Sequence, residues 1–90
     1  MKDDEKELFR RLWTEHEKGI LNPERRHTYD IIDEMGIPYK RAEYILFKWT
    51  YKFQFWEYGV TCFGGWFIEP IPPQYLSLLL TENENYRDEQ

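Results

Sequence analysis

Ile31-Ile32-Asp33-Glu34-Met35-Gly36-Ile37-Pro38 is the stretch on which the fold turns. Glycine takes the left-handed backbone conformation that ends a helix at little steric cost, so Gly36 closes a helix running back through Met35 and Ile31. Proline suits a helix start, so the next helix opens around Pro38 or Tyr39. One short turn therefore joins two helices.

Working outward, Asn22-Pro23 is a helix start, with asparagine as cap and proline in the first turn, and places helix two from there through Arg25 and Tyr29 to Met35. Helix one is expected over residues 4–18. Asp4 caps it with Glu7 three residues on, Leu8, Phe9, Leu12, Trp13 and His16 form one stripe, and Gly19 stops it. In helix three, Ala42, Ile45, Leu46, Trp49 and Phe53 share one face, and the helix runs to about Gln54. Two extended runs, Phe55 to Thr61 and Trp66 to Glu69, flank Gly64-Gly65 and predict a hairpin, which Pro70, Pro72 and Pro73 end. Tyr75 to Leu80 forms a short closing helix. Residues 81–90 read as a polar, acidic, frayed tail, leaving residues 1–80 as a single domain without repeat or linker.

Ninety residues suffice for one core and one working surface. With 41% hydrophobic and 32% charged residues and no apolar run long enough to span a bilayer, the expectation is a soluble, cytoplasmic domain with no membrane partner. Cys62 is the only cysteine, which excludes an internal disulfide and a cysteine-based zinc site within one chain. The net charge of −5 works against nucleic-acid binding unless one face is locally basic. The 19% aromatic content exceeds what so small a core obviously needs.

The order helix, helix, turn, helix, hairpin resembles the winged helix-turn-helix family over residues 4–69. The resemblance is sharpest at Ile31 to Pro38, where Ile31, Met35, Ile37, Ala42 and Ile45 match its buried positions and Gly36 its tight turn; Trp56 to Val60 and Gly64 to Phe67 resemble the wing. It implies a mainly α fold with a small β-hairpin: three helices, a wing and a short C-terminal helix. It also implies, as one function, a transcriptional regulator on double-stranded DNA, using Arg25, Arg26, Lys40, Arg41, Tyr44, Lys48 and Lys52.

The residues themselves depart from that function. At about 100° per residue the face of helix three opposite its core stripe carries Tyr44, Phe47 and Tyr51, bordered by Lys40 and Lys48. Phenylalanine reads base edges poorly, whereas aromatic anchors at this spacing suit a helix face docking on protein. No lysine or arginine occurs from Phe53 to Ser77, so the wing offers phosphate little, and Phe63 at its tip joins the aromatic surface. The first expectation is thus a protein-binding module that uses Lys40, Tyr44, Phe47, Lys48, Tyr51 and Phe63, with a separate protein or a second copy as partner. Such a patch on an acidic scaffold is also what redesign of a natural winged helix into a binder produces. Two burial alternatives stay open: Leu76, Leu79 and Leu80 covering Tyr44, Phe47 and Tyr51, and Cys62 with Phe63 folded back on helix one.

Nothing in the pattern asks for catalysis, a metal, a cofactor or a small-molecule substrate. His16 and His27 sit on different helices without a neighbouring nucleophile, and Gly64-Gly65 lacks the following lysine of a phosphate loop.

Overall fold

The computed structural model describes residues 2–19, 27–59, 64–68 and 70–77. Three α-helices come first: α1 (Asp3–Glu17), α2 (Thr28–Met35) and α3 (Tyr39–Phe47). A π-helix over Lys48–Phe53 continues α3, and strands β1 (Trp56–Glu57) and β2 (Trp66–Phe67) pair antiparallel, Trp56 opposite Phe67 and Glu57 opposite Trp66. Residues 73–77 are helical again, with Pro73 at the first position, so the closing helix starts two residues before Tyr75. Its expected continuation to Leu80, and the tail over 81–90, lie outside the described residues. Among the described residues the chain is mainly helical with one small sheet, and no helix there is long and apolar enough to cross a membrane.

The turn between α2 and α3 is built as expected. Gly36 adopts φ 72°, its N–H donates to the Asp33 carbonyl at 3.1 Å, and the Ile37 N–H reaches back to Ile32 at 3.2 Å. These two bonds form a Schellman cap, and the buried Ile32 and Ile37 supply its usual apolar contact. Ile31, Ala42 and Ile45 are fully buried, while Met35 packs at the edge of the core.

Three local expectations need correction. Asp4 does not cap α1: Lys2 is the capping residue, Asp4 lies in the first helical turn, and its carboxylate is occupied by Arg41 and the Glu5 N–H. Helix two starts at Thr28, because His27 is extended at φ −103°, ψ 154° and caps it; the expected start at Asn22-Pro23 and Arg25 lie outside the described residues. The Asp30 carboxylate accepts the His27 N–H at 3.0 Å, and the Thr28 hydroxyl leaves the helix to donate to the Gly65 carbonyl at 2.8 Å. Helix three ends at Gln54, but its last six residues wind as a π-helix. There the Trp49 carbonyl accepts N–H groups from both Gln54 and Phe55, a wider closure than an α-helix makes.

An aromatic cluster lies within a core otherwise lined by leucine, isoleucine and alanine. Phe9 from α1 meets Trp49, Phe55 and Phe67 edge-on, with centroids 5.5, 5.4 and 5.3 Å apart, and Trp56 meets Phe67 at 4.7 Å. Tyr75 of the closing segment meets Phe53 at a tilt and Phe55 edge-on, and Leu76 packs on the same cluster. The hairpin is docked by its glycines: the Trp56 indole N–H donates to the Gly64 carbonyl at 2.7 Å, and a Cβ on Gly65 would fall 1.9 Å from the Glu57 carbonyl oxygen.

Candidate functional site

With Ala42, Ile45, Leu46 and Trp49 committed to the core, helical geometry puts Lys40, Tyr44, Phe47 and Tyr51 on the opposite side. Tyr44 is 59% exposed, Phe47 38% and Tyr51 73%. Leu76 packs on the core cluster and leaves these rings exposed, while Leu79 and Leu80, the other residues of the burial alternative, lie outside the described residues. Phe63, Cys62, Arg25 and Arg26 lie outside the described residues.

The row extends through rings that the sequence did not group with it. Phe47 packs against Tyr51 at 6.0 Å and edge-on against Tyr58 at 4.9 Å. The Tyr58 and Tyr29 hydroxyls are hydrogen-bonded at 3.0 Å, and Tyr29 meets Tyr39 at 5.4 Å. Tyr39, Tyr29, Tyr58, Phe47 and Tyr51 thus form one continuous aromatic strip drawn from α2, α3, the π-helix and the end of β1. Burial first, then its bond to Tyr58, pushes the Tyr29 phenol well above its ordinary range, so it stays protonated. The Tyr39 hydroxyl donates to Asp33 at 2.8 Å, and that bond raises its pKa. Nothing but the adjacency of Tyr29 and Tyr58 in space links them, so sequence spacing held no signal for their part in the strip.

The flank of α3 that faces α1 is electrostatically closed. Arg41 donates from Nε and Nη2 to the two Asp4 oxygens, each at 2.8 Å. That fork holds the Asp4 carboxyl below the usual carboxylate range and raises the Arg41 guanidinium in return. Lys48 donates to Glu5 at 2.7 Å, and the Trp49 indole N–H reaches the other oxygen of the same carboxylate at 2.9 Å. Glu5 is completely buried. Both cations also lie near the Tyr44 ring, Arg41 at 5.7 Å and Lys48 at 5.4 Å from its centroid. Of the basic residues proposed for α3 and its extension, Lys40 and Lys52 are exposed.

The two histidines have contacts within the fold. His16 lies between Trp13 and Phe67 at 5.2 and 5.3 Å, and His27 caps α2. Among the described residues no group of three or more histidine, cysteine, aspartate or glutamate side chains could hold a metal. Comparison of the chain with known protein families, curated proteins and solved structures found no match.

Proposed function

We propose that this chain is a non-enzymatic binding module of the winged-helix type whose third helix presents its outer aromatic face to a protein partner. The observation that carries this reading is the exposure of Tyr44, Phe47 and Tyr51 on one face, with Phe47 packed on Tyr51 and on Tyr58. Exposed aromatic rings in a contiguous cluster have the composition of an interface centre, with polar groups at the rim. The wing reading, with β1 and β2 as its strands, belongs to the same proposal. Lys48, assigned to the rim from sequence, is instead bound to Glu5, so of the two lysines expected at the rim only Lys40 is uncommitted.

A nucleic-acid role is the weaker alternative. Arg41 and Lys48 would have to leave Asp4 and Glu5 before meeting a phosphate, which exchanges one ion pair for another and sets a buried carboxylate free. Lys40, Lys52, Arg25 and Arg26 remain to that reading.

The proposal is tested by using the chain as bait beside a Tyr44→Ala/Tyr51→Ala variant matched in melting temperature. Proteins held by the first and released by the second are expected. Identical capture by both baits would remove the aromatic face from the account.

A further inference from the structure

Charge is segregated along this chain. Of its 12 lysines and arginines, Lys40, Arg41, Lys48 and Lys52 fall in α3 and the π-helix, whereas of its 17 acidic residues only Glu43 does. Arg41 and Lys48 are taken by the first turn of α1, so the cations left to a partner are Lys40 and Lys52. In sequence these flank the row Tyr44, Phe47, Tyr51; both are exposed and neither has a carboxylate partner among the described residues, the Lys52 ammonium lying 6.0 Å from the Phe53 ring centroid. The hydroxyls of Tyr44 and Tyr51 likewise have no hydrogen-bond partner there. The third helix and its extension therefore offer exposed rings together with four hydrogen-bond donors, two of them cationic, against the exposed Glu43 as their one acidic side chain.

We infer that the partner segment is acidic and apolar together: a peptide or helix that sets aliphatic or aromatic anchors on Phe47 and Tyr51 and places carboxylates against Lys40 and Lys52. The inference rests on the aromatic face being a protein-binding surface. Carboxylates are acceptors only, so they satisfy ammonium and phenol donors that an apolar or basic segment would leave dry. A basic segment would meet Lys40 and Lys52 with like charge and lose its steering on approach. Rim charges act chiefly on association rate and on partner choice, which is the role these two lysines are placed to fill.

The test is selection from a random-sequence peptide library displayed on phage, with the full chain as target, followed by affinity measurement on synthetic copies of the selected peptides. Enriched peptides are expected to be net acidic with apolar residues between the acids. Lys40→Glu/Lys52→Glu should weaken them about five- to tenfold, mostly in association rate, and rising salt should weaken the parent complex but not the variant's. Thermal melts accompany both variants, and the exposed positions leave folding intact. Peptides that need Tyr44 and Tyr51 but show no acidic bias, or bind the charge-reversed variant equally well, would overturn the acidic partner while keeping the docking face. Peptides indifferent to Tyr44→Ala/Tyr51→Ala, or no enrichment at all, would overturn the face itself. A mass that grows with concentration and reverts in the charge-reversed variant would make the occupant a second copy of this chain, against a separate partner.

Discussion

The guanidinium of Arg41 grips the carboxylate of Asp4 through two hydrogen bonds of 2.8 Å, tying the first turn of the third helix to the first turn of α1. A residue that a groove-reading helix would turn toward phosphate is thereby committed to the protein's own frame. The neighbouring Glu5 does the same with Lys48, and from a fully buried position. These two clamps leave the outer face of α3 aromatic rather than basic.

The Asp4 clamp makes stability depend on pH. Because Arg41 lowers the Asp4 pKa from 3.8, the stabilisation is complete above that value and fades as pH falls through the lower folded-state value. With 39% of the Asp4 side chain exposed, solvent screening limits the pair to about 0.5–1 kcal/mol. Urea denaturation of Asp4→Asn should show that deficit at pH 7 and converge with the parent in strong acid. A deficit that persists unchanged in acid would point to a cause other than the charge.

Glu5 is held more deeply. Glu5→Ala strands the Lys48 ammonium and the Trp49 indole N–H, and should cost roughly 3–5 kcal/mol in denaturant unfolding. Removing the charges together, as Glu5→Leu/Lys48→Met, should recover most of that loss. A double variant no better than Glu5→Ala would mean the carboxylate matters for packing alone.

Two backbone positions give opposite signs. Gln54 sits at φ 62°, a left-handed conformation that costs a side-chain-bearing residue energy, so Gln54→Gly should raise stability by about 0.5–1 kcal/mol. Gly65→Ala, whose new Cβ would overlap the Glu57 carbonyl, should lose roughly 3 kcal/mol or more. Thermal melts of the two variants check both signs, and a neutral Gly65→Ala would mean that the hairpin is not held as described.

The two sides of the third helix should separate cleanly by alanine substitution. Trp49→Ala, which empties the centre of the aromatic core, should cost about 3–5 kcal/mol. Tyr51→Ala should stay within about 0.5 kcal/mol of the parent. Circular dichroism melts measure both, and comparable losses would place Tyr51 in the core.

Much of this arrangement is legible along the chain because it is local. The stripe Leu8, Phe9, Leu12 in α1 and the Gly36 turn between Ile32 and Ile37 follow from helix periodicity and glycine stereochemistry, and both occur. The extended residue at His27 escaped because its causes lie partly elsewhere: the Thr28 hydroxyl is drawn to a carbonyl 37 residues further on. The π-helix has no local signature either. The same apolar spacing serves either winding, and what accompanies the wider one is the Trp49 side chain bound to Glu5 and its carbonyl shared by two N–H groups. At the candidate site, Tyr44, Phe47 and Tyr51 were found by helical phase alone. Their companions Tyr29 and Tyr58 join only once α2 and β1 are docked, as do the carboxylates that silence Arg41 and Lys48.

On the proposed function the outer face of the third helix serves protein rather than nucleic acid. Titrating the full chain with mixed-sequence duplex DNA at low and at moderate salt decides between the two. With Arg41 and Lys48 bound to Asp4 and Glu5, no complex should form at micromolar protein even at low salt. Micromolar or tighter binding that weakens steeply with salt and is lost in Lys40→Glu/Lys52→Glu would contradict the account and make this helix a DNA-binding one.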